Sequence, residues 1–191
     1  MDSKEIVHDG DDLYKADILR KIDLSKLSKV SFDPPIEPCK PGDSLILRPL
    51  NRRDFSKGFP QILSQLTAVG DVSQEQFIEA FDRMSKCIDT YFVTVIEDTS
   101  CGKIVGSATL LLEQKFIHNC AMRGRVEDVV VSDEYRGRQL GKLLLAALTL
   151  LAKQVGCYKL SLDCKDNMIP FYETFGFVKE DGNGNFMTIR F

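Results

Sequence analysis

The chain has 191 residues, 43% hydrophobic and 28% charged, with a formal net charge of −3. That length carries one domain with a sizeable core and not two ordinary ones. The balance argues against a globally basic nucleic-acid binder. The longest nearly apolar run, Leu143 to Ala152, is about half of the ~20 residues a membrane span needs. No apolar signal core follows the polar start Met1-Asp2-Ser3-Lys4-Glu5, so a soluble cytoplasmic chain is expected; peripheral attachment to an internal membrane surface stays open. Six cysteines contain no Cys-x-x-Cys pair and only His8 and His118 could join them, so reduced thiols and no metal are expected.

Residues 1–43 are polar and close with the proline-rich run Phe32-Asp33-Pro34-Pro35-Ile36-Glu37-Pro38-Cys39-Lys40-Pro41-Gly42. Leu13, Ile18, Leu19 and Ile22 have the spacing of a short amphipathic helix, but the prolines predict an extended connector. This part reads as an N-terminal extension, partly disordered or packed on a neighbour. A compact domain is expected over residues 44–191. It opens with a strand at Leu45–Pro49, then Phe55, Phe59, Ile62, Leu63 and Leu66 at helical spacing, with Pro60 disturbing the early turns. Ser73 and Gln76 form a capping box for a second helix through about Ser85, buried through Phe77, Ile78 and Phe81.

A hairpin comes next, Tyr91–Glu97 and Lys103–Glu113, turning at Gly102. Valine-rich Val126–Val131 then predicts a strand, a basic glycine turn, and a helix over Leu140–Gln154 that ends at Gly156. Tyr158–Cys164 is a further strand, giving the strand–helix–strand form of a parallel crossover. A short helix is expected around Ile169–Phe175, stopping at Gly176. Two last extended pieces, Phe177–Lys179 and Phe186–Arg190, flank the turn Asp181-Gly182-Asn183-Gly184. The order is mixed α/β.

The turn carries the clearest chemistry. A row of backbone N–H groups ahead of a helix N-terminus can hold a phosphate ester, and Arg136, Arg138 and Lys142 add positive charge there. The plain alternative for Arg136 and Arg138 is a pair of solvated turn cations. Acidic Glu127 and Asp128 lie within a valine-rich strand, on opposite faces by strand alternation. Such residues need a polar partner, whether a ligand or an ordinary ion pair with Arg123, Arg125 or Lys159.

Arg136-Gly137-Arg138-Gln139-Leu140-Gly141 resembles the Gln/Arg-x-x-Gly-x-Gly/Ala signature of the GCN5-related N-acetyltransferase superfamily, with Gln139 where the middle glycine usually stands. Phe171-Tyr172-Glu173-Thr174-Phe175-Gly176-Phe177 supplies its second mark, a tyrosine four residues before Gly-Phe. Glu113–His118, Gly124–Val131 and Gly156–Lys159 are similar to the glucosamine-6-phosphate N-acetyltransferases, over roughly residues 44–191 and including Gln65-Leu66-Thr67. That family usually has asparagine four residues before the tyrosine; here the position is Met168, and Asn167 stands one residue earlier.

The resemblance implies the acyl-CoA N-acyltransferase fold, a mixed and mostly antiparallel sheet with a splayed parallel strand pair and flanking helices. It implies acetyl transfer from acetyl-CoA to the amine of glucosamine 6-phosphate by direct attack in a ternary complex, a step toward UDP-N-acetylglucosamine. The cofactor would lie along Val129, Val130 and Val131, its diphosphate on Arg136, Gly137, Arg138, Gln139, Leu140, Gly141 and Lys142, with Asn167 and Tyr172 nearby. Tyr172 would protonate the leaving thiolate; its alternative is a core aromatic beside Phe171 and Phe175. Asp163 is the preferred base, with Glu127 and Asp128 orienting the sugar. Thr67, Lys115, His118, Tyr158, Lys159 and Arg190 match the family's sugar-phosphate positions. The family is homodimeric, with sites shared between chains and the C-terminal strand crossing between subunits. A protein or peptide amine as acceptor, or a CoA-binding module without chemistry, are the competing readings.

Overall fold

The computed structural model describes residues 11–180, 182 and 187–189. Five strands follow chain order across one sheet: β1 (Leu45–Pro49), β2 (Tyr91–Asp98), β3 (Lys103–Gln114), β4 (Met122–Val131) and β5 (Cys157–Ser161). The first three pairings are antiparallel, as consecutive hairpin-linked strands allow, and β4–β5 is parallel. The α-helices among the described residues are α1 (Asp17–Arg20), α2 (Phe59–Leu63), α3 (Gln74–Ser85), α4 (Ile117–Cys120), α5 (Leu140–Gln154) and α6 (Ile169–Glu173).

The long helix α5 is the crossover between β4 and β5 and coincides with its expected span. Its sequence is apolar all round, and Leu143, Leu144, Leu145, Ala146, Ala147, Leu148 and Leu151 are fully buried. A helix with no polar face needs cover on both sides. The sheet covers one. Residues 11–36 help to cover the other: α1 and the 3-10 turn Leu24–Lys26 pack against α5, and Leu13, Tyr14, Leu19 and Ile22 are buried in the shared core. Residue 43 thus marks a change in sequence character, while the chain from Asp11 onward packs as part of the same domain.

The capping box forms: Ser73 Oγ accepts from the Gln76 amide at 3.2 Å, and Gln76 Oε1 accepts from the Ser73 amide at 2.8 Å. Pro60 does not disturb its helix but stands in the first turn of α2, where no intrahelical donor is required. The helix is shorter than the Phe55–Leu66 spacing predicts, because Gly58 enters it with φ +83° and leaves Phe55 in the preceding turn. A buried ion cluster ties β1 to that turn. Arg48 donates to both oxygens of Asp54 at 2.7 Å and to Glu97, which Lys57 also reaches at 2.6 Å.

Two expectations are corrected. The last strand of the parallel pair ends at Ser161, so Leu162, Asp163 and Cys164 have left the sheet. Residues 177–180 and 187–189 form no strand; the expected turn, apart from Gly182, and the residues Phe186 and Arg190 lie outside the described residues.

Candidate active site

β4 and β5 pair only from Met122↔Cys157 to Arg125↔Ser161, with a shift of register after Met122. At Gly124 a Cβ would come within 2.8 Å of Leu160 Cδ1, so a glycine lets the two strands close there. Beyond Arg125, β4 runs on through Val131 with β3 alone beside it, and β5 ends. The sheet opens into a fork whose inner edge offers the backbone of Val126–Val131, including Val129, Val130 and Val131, as an unpaired ribbon.

A bulge lies on that ribbon. Thr109 pairs with Glu127 and Ser107 with Val130, so Asp128 and Val129 together oppose Ala108. Asp128 takes φ +52°, a left-handed conformation that aspartate tolerates better than most residues. Simple alternation, which would put the acidic pair on opposite faces, therefore fails there. Burial among its surroundings, and then the charge of Glu127, raise the Asp128 carboxyl above the ordinary carboxylate range, although the residue keeps solvent on one side.

Arg125 gathers the other two carboxylates. Its Nε donates to Glu127 and its second guanidinium nitrogen to Asp163, beyond the end of β5. The hydrogen bond to Glu127 is the leading reason that the guanidinium holds its proton even more firmly than usual. Next along β4, Arg123 donates to Ser161 Oγ at 2.8 Å. Sequence reasoning names Arg125 only as an ordinary ion-pair partner for the acidic residues, and that pairing forms with Glu127 and Asp163. The signal that places it in the site is the parallel register, which sets Arg125 opposite Ser161 and so two residues from Asp163.

At the far end of β4, Ser132 leads through the 3-10 turn Asp133–Tyr135 to Arg136, Gly137 (φ +78°), Arg138 and Gln139 (φ +59°). Gln139 is the N-cap of α5 but makes no side-chain cap, so the first N–H groups of Leu140, Gly141 and Lys142 are left to an outside acceptor. Tyr135 anchors the turn: its hydroxyl donates to Asp98 at 2.8 Å, which lifts the phenol pKa to about 12, and Arg138 stacks over its ring at 4.8 Å. Arg136 pairs with Asp133 in the open, and the Asp133 amide donates to Gln65 at 3.0 Å. These features fit a diphosphate bound through peptide nitrogens.

The remaining candidates fall into two groups. His118 and Tyr158 face each other at 4.6 Å between ring centroids, next to exposed Lys159. Lys115 donates to Glu113, and its amide closes the loop onto the Ala121 carbonyl at 3.0 Å. That loop contains α4, which is a single left-handed turn through His118, Asn119 and Cys120. Thr67 is exposed at the end of the α2 segment, and Asn167 is exposed in the 3-10 turn Asp166–Met168. Tyr172 on α6 is half-buried against Phe171 and Phe177, and burial, followed by nearby Cys164, raises its phenol pKa. Arg190 lies outside the described residues.

Comparison with known proteins gives this geometry a family. Residues 50–177 match the model of the acetyltransferase (GNAT) family. A "probable glucosamine 6-phosphate N-acetyltransferase" of Drosophila melanogaster is 53% identical over 180 residues, 94% of this chain and 81% of that one. This chain belongs to the glucosamine 6-phosphate N-acetyltransferases. A Dictyostelium discoideum member is 41% identical over 138 residues, 72% of this chain and 87% of its own. The crystal structure of the Arabidopsis thaliana glucosamine-6-phosphate N-acetyltransferase superposes with a TM-score of 0.73 at 36% identity, covering 78% of this chain and 99% of that one. As an N-acetyltransferase of this family, the chain owes its forked sheet to the GNAT fold. Among the described residues, no helix is long and apolar enough to cross a membrane.

Proposed function

We propose that this enzyme transfers the acetyl group of acetyl-CoA to the amine of glucosamine 6-phosphate, in a ternary complex without a covalent enzyme intermediate. The observation that carries the proposal is the gathering of Glu127 and Asp163 by Arg125 where β4 and β5 part, between the phosphate turn and the basic loop. The names of the relatives support the choice of acceptor.

Bound acetyl-CoA supplies a thioester, which is activated toward an amine. The backbone of Val129, Val130 and Val131 pairs with the amides of its pantetheine arm, and an N–H of this ribbon donates to the thioester oxygen. The open N–H groups from Gly137 to Lys142, with Arg136 and Arg138, take the diphosphate. Asn167 would supply a further side-chain contact with the arm.

Asp163 accepts a proton from the sugar ammonium, directly or through a water, while Glu127 and Asp128 hold the sugar. The nitrogen lone pair then forms the N–C bond to the acetyl carbon, the C–S bond breaks, and Tyr172 gives its phenolic proton to the thiolate; the nitrogen sheds its second proton, which returns through water to the Tyr172 phenolate. A thiol has a reference pKa about 8.5 and a phenol ~10, so the transfer is uphill by a modest amount that the burial of Tyr172 increases. Lys115, His118, Tyr158 and Lys159, with Thr67 and Arg190, recognise the sugar phosphate, well away from the cofactor's own phosphates.

The active form is a cytoplasmic homodimer. The outer edge of β5 carries no strand among the described residues, and Val178, Met187 and Ile189 are each more than three-quarters exposed. Residues from Phe177 on would complete that edge from a second copy, bringing Arg190 to the site. Mass spectrometry of reactions with glucosamine 6-phosphate, glucosamine and lysine peptides tests the acceptor. Acetylation of the phosphorylated sugar alone is the expected result, and a preference for peptides overturns it.

A further inference from the structure

The phosphate turn is already in contact with the N-terminal extension. Gln139, which stands in the left-handed conformation where its superfamily usually has glycine, directs its amide outward. Its Oε1 accepts from the Asp33 amide at 3.1 Å and its Nε2 donates to the Pro34 carbonyl at 3.1 Å. One turn into α5, Lys142 donates to the Ser31 carbonyl and lies 5.3 Å from the centre of the Phe32 ring. Ser31–Pro34 is therefore held at both ends by two of the side chains that flank the diphosphate nitrogens.

This strap is not a free tail. It continues from Leu19 and Ile22, which are buried, through Leu24, Leu27, Val30 and Phe32, which pack on the same core, alongside α5 to its N-terminus. The alignment with the Drosophila relative spans 94% of this chain and so includes most of the extension, whereas the Dictyostelium alignment spans 72%.

We infer that Ser31–Pro34 forms an outer wall of the acetyl-CoA diphosphate site, with Gln139 and Lys142 as positioning residues that hold the wall in place. The inference rests on the acetyl-CoA reading above and adds a binding element to it. The side chains of Gln139 and Lys142 are spent on the strap, so the phosphates fall to the turn's peptide nitrogens and to Arg136 and Arg138. Losing the strap frees the turn to move and exposes the bound nucleotide half to solvent on that side.

Hydrogen–deuterium exchange on the full chain, with and without acetyl-CoA, reads this directly. Acetyl-CoA should slow exchange at the amides of Ser31, Phe32, Asp33 and Ile36. Gln139→Gly keeps the turn's backbone comfortable at positive φ and removes both latch hydrogen bonds. It should speed strap exchange without cofactor and weaken acetyl-CoA binding by calorimetry about fivefold to tenfold, the scale of one to two net hydrogen bonds. Phe32→Ala, which leaves the turn untouched, should move both readings the same way. Acetyl-CoA binding with unchanged strap exchange overturns the inference and leaves the function intact, as does unaltered affinity in both variants. Absence of acetyl-CoA binding to the unmodified protein overturns both.

Discussion

Arg125, on β4, reaches across the opening between the parting strands to Asp163, which lies just past the end of β5. With Glu127 on its other nitrogen, the guanidinium fixes two carboxylates that belong to different arms of the fork. Arg125→Gln should therefore lower kcat/KM for the sugar phosphate about tenfold or more, while changing stability by less than ~1 kcal/mol because all three groups are partly exposed. Arg125→Lys restores charge but not the two-pronged geometry, and should recover only part of the activity. Steady-state kinetics beside thermal melting checks the split. Equal losses in activity and stability would make Arg125 merely structural.

Tyr172→Phe should slow the chemical step by ~10²-fold or more, with acetyl-CoA affinity unchanged. Burial raises this phenol, so it keeps its proton through the neutral range and the unmodified enzyme should lose activity on this account only at pH above the ordinary tyrosine range. That basic limb should vanish in the variant. A full pH–rate profile at saturating acetyl-CoA tests both statements.

Asp128 is strained and partly desolvated at once. Its raised carboxyl pKa means that the fold disfavours the ionised form, so this residue costs stability as pH rises above the ordinary aspartate value of 3.8. Asparagine removes the charge and still tolerates φ +52°. Asp128→Asn should raise Tm at neutral pH and lower turnover of the sugar phosphate. A lower Tm would contradict the cost assigned to the desolvated charge.

The Arg48–Asp54–Glu97–Lys57 cluster makes an opposite prediction about pH. Burial opposes ionisation of Glu97, but hydrogen bonds from Lys57 and Arg48 outweigh it and hold its pKa below 4.5. The unfolded chain then binds the proton first. Stability from this group is complete above about pH 4.5 and is lost as pH falls through the lower folded value. Arg48→Met leaves two buried carboxylates without their shared cation and should destabilise by about 3–5 kcal/mol. Urea unfolding at neutral pH measures it.

Much of this molecule is legible in its sequence because the signals are local. The α5 span, the Ser73–Gln76 box and the β2–β3 hairpin rest on periodicity, capping chemistry and a turn glycine. The features that escape depend on pairing between distant segments. The bulge at Asp128 exists only relative to β3, and the Arg125–Asp163 bridge only once β4 and β5 lie parallel. Likewise, prolines 34, 35, 38 and 41 obscure a strap whose anchors, Leu19 and Ile22, are visible but acquire meaning only beside an α5 that lacks a polar face. Tyr172 stands out through its distance from Gly176-Phe177, whereas residues 177–180 and 187–189 form no strand despite their extended pattern.

The most direct test compares initial rates of acetyl transfer from acetyl-CoA to glucosamine 6-phosphate and to unphosphorylated glucosamine, with product identified by mass. The account predicts fast formation of N-acetylglucosamine 6-phosphate and a kcat/KM for the free sugar at least about a hundredfold lower, on the order of two lost charge-assisted contacts. Equal turnover of the two sugars, or none of either, would contradict it.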